Sequence, residues 1–423
     1  MSIRTIGVFL AVSSVFLYGY SLPGLELNLF VGVIVLVLAA MTFTLDSRLL
    51  FFNGNVLISL IVILAVGSIG VLLGRGSMGV YLTQAFAISL VVICSTIVIS
   101  GAGELASKIF PTYLVLSFAF ALIALLEFAL GLFGVYFEFL TPKIDYVFAN
   151  VHRISGLAAE PAHFVHVMTP SVVAILTSAF SNRLCMSPAK SLVVVASYLL
   201  TFSSLGFFVV ALVFLTVLFW RTSLSSMAVK IILGAGLIGV FSAIPQINTR
   251  ALDTYNVLVS SEIENVNVSS LTIYKNLRVA IKSGTNQPIF GAGLGGHEHN
   301  YYKYLPTFLS HGKNFNDKDA SSLFLRLISE FGVPFTVAFY WFALAFWTGF
   351  PSRDDLAPIY WKKLTSTAVL FLIIARSARG GNFIADGFPF FLILYYSVYS
   401  SLKNGDLPGT VFPTTARATS DTP

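Results

Sequence analysis

The chain has 423 residues, of which 56% are hydrophobic, 14% aromatic and only 10% charged, with a formal net charge of +6 and a mean hydropathy of +0.85. Soluble globular domains carry about 25% charged residues, so this composition excludes one; the continuous apolar runs, in place of alternating segments of about 10 residues, exclude a transmembrane barrel. The basic residues are scattered with no run of five or more, which gives no ground for nucleic-acid binding.

Apolar runs of helix length fall at 6–22, 27–45, 55–73, 78–99, 110–135, 161–181, 188–202, 204–220, 228–244, 320–349, 361–378 and 383–402. They predict an all-α polytopic transmembrane bundle of about twelve spans in a lipid bilayer. The first run follows one arginine, as in a signal peptide. No small-x-small site follows and another apolar run begins at once, so it reads as the first span. The stretch 188–220 is either two short helices or one helix interrupted at Thr201-Phe-Ser-Ser-Leu-Gly206. The chain divides into helices 1–9 over 1–244, a long loop over 245–319, helices 10–12 over 320–402 and a disordered tail over 403–423, rich in Pro, Thr, Gly and Asp. Cys94 and Cys185 form no spacing pattern and suggest neither a disulfide framework nor a zinc site.

The long loop is more than a linker. Apolar residues at 271, 273, 274, 277, 280 and 281 predict an amphipathic helix over 269–282, capped by Ser269 or Ser270 and ended by Gly284. A glycine-rich turn, Pro288-Ile-Phe-Gly291-Ala-Gly293-Leu-Gly295-Gly296, follows it. The run matches G-x-G-x-x-G formally, but it lacks the strand before and helix after of a dinucleotide site. A backbone turn packed closely on substrate or on a neighbouring helix fits better.

Lysine and arginine in the short loops set the orientation. With the N-terminus inside, Arg4, Arg48, Lys108, Arg183, Lys190, Arg221, Lys230, Arg353, Lys362, Lys363 and Lys403 fall inside, against Arg75, Lys143, Arg153, Arg376 and Arg379 outside. The loop after residue 152, the segment 245–319 and the Arg376/Arg379 turn then share the outer face.

Ionisable groups near bilayer depth are costly and mark functional sites. Residues 152–161 place His152, Arg153 and Glu160 within nine positions, between two apolar runs. Arginine is always protonated and presents a planar fork to phosphate, so Arg153, Arg278, Arg376 and Arg379 suit a phosphate-bearing ligand at headgroup level; headgroup snorkelling explains any one of them equally. Arg376 and Arg379 are three apart and would share a helical face. Three roles fit Glu160: a helix N-terminal carboxylate, a desolvated base for a sugar hydroxyl, and an ion-pair partner for Arg153. His163 and His166 share a helical face without an acidic partner at metal spacing, so no metal is expected there. His297, His299 and His311 are loop histidines, each a base or an ordinary solvated residue. Glu127, deep in the fifth span, is a structural hydrogen-bonding group or part of a proton path.

Arg153-x-x-Gly156-x-x-x-Glu160-Pro161 opening a helix resembles a motif of the O-antigen polymerases. So does Arg278 on a helix leading into the turn bearing Gly291 and Gly293, followed by Ser321-Ser-Leu-Phe-Leu-Arg-Leu-Ile-Ser-Glu-Phe-Gly332 as the return to the membrane. The order of these short motifs spans most of residues 100–402. The wider family holds O-antigen polymerases and ligases, integral-membrane glycosyltransferases of the GT-C type. The resemblance implies an undecaprenyl diphosphate-linked oligosaccharide substrate and metal-independent transfer with no cofactor. It also implies a site on the outer face of a bacterial inner membrane, and a chain-length regulator as a membrane partner. Arg153, Glu160 and Arg278 then become the catalytic candidates; Arg376, Arg379, His152, Gly291, Gly293, His297 and His299 become the substrate-binding ones. Ligases of this family place a His-Asn pair where this chain reads Asp319-Ala-Ser-Ser322, which favours polymerase over ligase or protein O-oligosaccharyltransferase. A transporter of the same lipid-linked sugar would show inverted repeats, and none is seen.

Overall fold

Backbone amides and carbonyls inside a bilayer have no water to bond, so apolar runs of this length satisfy them internally as helices. The computed structural model describes residues 2–17, 30–46, 53–135, 146–148, 151–158, 160–220, 236, 239, 252–253, 255–260, 266–309 and 316–404. The expected span at 228–244, the tail beyond Asn404, Lys143 and His311 lie outside the described residues.

In chain order the helices are α1 (Ile3–Leu17), α2 (Phe30–Asp46), α3 (Gly54–Leu72), α4 (Met78–Gly101), α5 (Ala106–Leu132), α6 (Pro161–Phe180), α7 (Pro188–Leu199), α8 (Ser204–Trp220), α9 (Val268–Asn286), α10 (His297–Tyr304), α11 (Leu323–Phe331), α12 (Val333–Ala345), α13 (Ala357–Ala378) and α14 (Phe388–Lys403). A short antiparallel pairing, Tyr146–Phe148 with Val151–His152, precedes α6. Among the described residues five helices, α3, α4, α5, α6 and α13, are long and apolar enough to cross a membrane.

Burial separates hub from rim. In α6, 78% of the apolar window is buried, against 22% in α3, so α6 is the centre of the bundle and α3 its edge. Leu57, Ile58, Ile61 and Val62 of α3 are exposed, a continuous apolar stripe that water would penalise and lipid would not. α6 runs antiparallel to α13. Ser181, just past the end of α6, meets Tyr360 at the start of α13 at 3.1 Å, while Gly380 beyond α13 packs on His166 near the start of α6. The basic residues sort to opposite ends of this pair. Arg183 donates to the Asp355 carbonyl at 2.8 Å and Lys363 pairs with the Asp355 carboxylate at 2.8 Å at one end; Arg376 and Arg379 stand at the other.

Two boundaries differ from those the residue pattern predicts, and at 188–220 the structure decides between the two alternatives. The 320–349 run is two helices, because Gly332 adopts φ +84 and turns the chain between α11 and α12. A Cβ there would meet the Ile289 carbonyl oxygen at 2.5 Å. The amphipathic helix in the long loop is capped by Asn267, whose side chain accepts from the Ser270 amide at 3.0 Å, and it runs through Gly284 to Asn286. Gly284 does not end it; its missing side chain admits Ile328 of α11 instead, a built Cβ lying 3.0 Å from that side chain. The 188–220 stretch is two helices, with Phe202 at φ +46 in the turn between them.

The glycine-rich turn stitches the long loop to the bundle through main chain. Leu294 donates to the Gly67 carbonyl of α3 at 3.0 Å, Ala292 to Ser329 at 3.0 Å and Gly293 to Glu330 at 2.8 Å. A Cβ on Gly70 would sit 2.2 Å from the Gly293 nitrogen, and one on Gly293 (φ +88) 2.5 Å from the Gly67 oxygen. Backbone lies on both sides, so nothing can swing away. Gly70→Ala is therefore expected to lower the stability of the detergent-solubilised protein by about 1–3 kcal/mol in denaturant unfolding. Gly79→Ala, whose Cβ meets only the Ser77 hydroxyl at 3.9 Å, serves as the matched control and should cost nothing.

Candidate functional site

The segment 152–160 is held to the bundle from within by Glu127 of α5. Its carboxylate accepts from the Gly156 amide at 2.6 Å and from the Ser155 amide at 3.3 Å. Gly156 sits at φ +57, where a side chain would be strained. Of the two roles open to Glu127, the geometry gives it the structural one. His152 is fully buried, wedged where α5 has Gly131: a Cβ there would stand 1.9 Å from the imidazole. Burial holds the His152 pKa below its ordinary value, so the ring is neutral at physiological pH. Arg153 is half-buried and its Nε donates at 2.9 Å to the Thr201 carbonyl, in the turn between α7 and α8.

Glu160 is the N-cap residue of α6, with Pro161 next. Its side chain makes no capping hydrogen bond and is exposed. One turn on, His163 meets the Asp386 carboxylate, Nδ1 to Oδ1, at 3.0 Å, and the other Asp386 oxygen accepts from Arg376 at 2.8 Å. Asp386 and Arg376 are each 1% exposed, whereas the His163 side chain is 39% exposed. Arg376 also donates to the Asn382 carbonyl and lies over the Phe388 ring, 5.0 Å from its centroid. Arg379 does not share a helical face with Arg376. α13 stops at Ala378, and Arg379 is extended at φ −156. Its guanidinium turns to Ser269 at the start of α9, at 3.2 Å.

The long loop joins the same end. Gly380 donates to the Ser321 carbonyl at 2.7 Å, and Arg326 of α11 donates to the Gly381 carbonyl at 3.0 Å while pairing with Glu330 at 2.8 Å. Glu330 also lies toward the amides of Gly295 and His297 at the start of α10. His297 is fully buried, its Nε2 bonded to Asn276 at 2.8 Å, and Asn276 reaches Ser321 at 3.1 Å. Arg278 and His299 are exposed, Arg278 lying over the Tyr274 ring of its own helix at 5.9 Å from the centroid. Gly291 and Gly293 are enclosed by α3 and α11.

The structure thus gathers Glu160, Arg376 and Arg379 at one end of the α6–α13 pair, and fixes Arg153 between α5 and the α7–α8 turn. It places His152 and His297 inside the packing. Two features escape the residue pattern: the contact of His163 with Asp386, and the placing of Glu127 and Glu330 beside main-chain amides. Chemically the open end offers cations for an anion, one exposed carboxylate, and one half-exposed imidazole backed by a buried carboxylate. Among the described residues no group of three or more His, Cys, Asp or Glu is placed to hold a metal ion. No family model, no curated protein and no solved structure matches the chain.

Burial pushes the His297 pKa down to about 3, so the folded protein leaves the ring neutral while the unfolded chain protonates it near its ordinary value of about 6.5. Between those values the unfolded state binds the extra proton, and stability falls as pH falls. Its contribution is complete above about pH 6.5 and declines by at most about 1.4 kcal/mol per pH unit below it. The difference in unfolding free energy between parent and His297→Gln, measured from pH 7 to pH 4, should narrow steadily by that slope.

Proposed function

We propose that this chain is a multi-pass glycosyltransferase of a bacterial cytoplasmic membrane that polymerises lipid-linked oligosaccharide repeats, as in O-antigen or other surface polysaccharide synthesis. In this reading the chain crosses the membrane about twelve times with both termini inside. Segment 245–319 and the Arg153, Glu160, Arg376 and Arg379 end face outward. The growing glycan on undecaprenyl diphosphate is the donor, and a hydroxyl of an incoming lipid-linked repeat attacks its anomeric carbon.

One observation carries the reading: half-buried Arg153 and Arg379 and exposed Glu160 fall at the same end of α6, opposite the Arg183 and Lys363 cluster, the level at which a headgroup diphosphate would lie. Arginines fixed in advance by carbonyls and a serine pay no reorganisation when a diphosphate leaves. Arg153 is oriented by Thr201 and Arg379 by Ser269, which leaves phosphate contact to these two and to exposed Arg278 on α9. Arg376, enclosed with Asp386, acts from beneath as a brace. Glu160 orients the acceptor. The start of α11 supports polymerase over ligase. Ser322 caps that helix and bonds the Ser377 carbonyl, and Ser321 binds Asn276, so no histidine stands there.

The test is a chromosomal deletion complemented by variants and scored on polysaccharide ladders. Loss of the gene should leave single repeats. A bare lipid core with accumulated polymer would indicate a ligase instead. Arg153→Ala should abolish long chains with membrane abundance unchanged, and Arg153→Lys, which keeps charge but loses the fork, should shorten the ladder. A normal ladder from well-accumulated Arg153→Ala overturns the site.

A further inference from the structure

We infer that His163 is the base that accepts the proton of the acceptor hydroxyl, and that Asp386 is its positioning residue; this rests on the glycosyltransferase reading above. A carboxylate on Nδ1 fixes that nitrogen as the donor and leaves Nε2 as the acceptor. Nδ1 is committed to Asp386 at 3.0 Å, which leaves Nε2 as the basic nitrogen of a side chain that is 39% exposed. The carboxylate stays ionised because its second oxygen is held by Arg376 at 2.8 Å. Arg376 thereby holds the carboxylate in place beneath the ring. This is the arrangement of base and orienting carboxylate that nucleophile-activating sites use on unrelated folds.

Among the described residues the other imidazoles do not offer this. His152 and His297 are 0% exposed and His166 is 3% exposed. His299 is exposed on α10, and among the described residues no carboxylate is aimed at it. A second observation points to the same place. Asp386 is held at φ +56, ψ 29, a left-handed conformation that costs a side-chain-bearing residue and persists where surrounding contacts impose it. The chain accepts that conformation in order to turn the carboxylate toward both His163 and Arg376.

The step balances. The acceptor O–H proton passes to His163 Nε2 as the oxygen bonds to the donor's anomeric carbon. The bond from that carbon to the phosphate oxygen breaks, and its electron pair leaves with undecaprenyl diphosphate, held by Arg153 and Arg379. The imidazolium then releases the proton to water. The charged groups facing His163 are Asp386 and Arg376 from the far end of the bundle sequence and Glu160 from its own helix start. His166 lies one turn along, with Arg379 beyond it.

The test uses the full-length chain in membrane vesicles, supplied with undecaprenyl diphosphate-linked repeats extracted from the deletion strain, with product lengths and rates followed against pH. The parent should polymerise with a rate that falls on the acid side as the base is protonated. His163→Gln and His163→Asn, at normal membrane abundance, should be slower by about 100-fold or more, and their residual rate should lose the acid limb. Asp386→Asn should slow the reaction and displace that limb, which a purely structural contact would not do. Either His163 variant polymerising within about tenfold of the parent, or retaining the parental acid limb, overturns the proposal. So does removal of the limb by Glu160→Gln, which would make Glu160 the base. No polymer from the parent chain would count against the glycosyltransferase reading itself.

Discussion

A guanidinium as enclosed as that of Arg376 can exist only beside an anion. Removing a charge of this size from water costs several kcal/mol, and breaking such a pair by losing one member is more damaging than never having built it. Asp386 is equally enclosed. The last turn of α13 and the turn before α14 therefore cannot part, and the backbone between them forms a closed loop. Most of the functional end is fastened to that loop. α6 meets it through His163 and through the close approach of His166 to Gly380; α11 meets it through Arg326 on Gly381 and Ser321 on Gly380; α9 meets it through Ser269 on Arg379. One ion pair fixes the geometry of three converging elements.

Buried glutamates stand beside two irregular turns of the bundle. Irregular backbone packed among apolar helices has amides with no helical partner and no water. Glu127 satisfies the turn at Ser155 and Gly156, and Glu330 faces the turn at Gly295 and His297. In both places a glycine supplies the left-handed turn and a buried carboxylate from a neighbouring helix lies beside it, Glu127 as the acceptor and Glu330 as the partner of Arg326. The two glycine-bearing motifs that stand out in the chain thus each lie against a carboxylate far away in sequence.

That distance explains what the residues alone could and could not reveal. Helices α3 to α6 were legible because an apolar run of spanning length has only one good conformation in lipid. The concentration of charge at 152–161 was legible because ionisable residues are rare in this chain. Gly332 was not, since its reading as part of a continuous apolar run depends on composition, while its turn depends on the Ile289 carbonyl beside it. The shared face expected of Arg376 and Arg379 failed because periodicity says nothing about where a helix stops. His163 and Asp386 lie 223 positions apart, and no local pattern relates them. By residue pattern His163 is only half of a histidine pair without an acidic partner; the partner comes from the other end of the chain.

The stitching of the long loop to α3 and α11 is made by amides and carbonyls, with glycines at the points of contact. Main-chain joints carry no side-chain identity. The outward face of α9, where Arg278 and Lys282 are exposed, can accordingly change its chemistry without loosening the attachment beneath it. A fold built this way separates what holds the loop in place from what the loop displays. Surface substitutions there can change what the loop displays, while the two backbone seams keep it registered over the same set of charges.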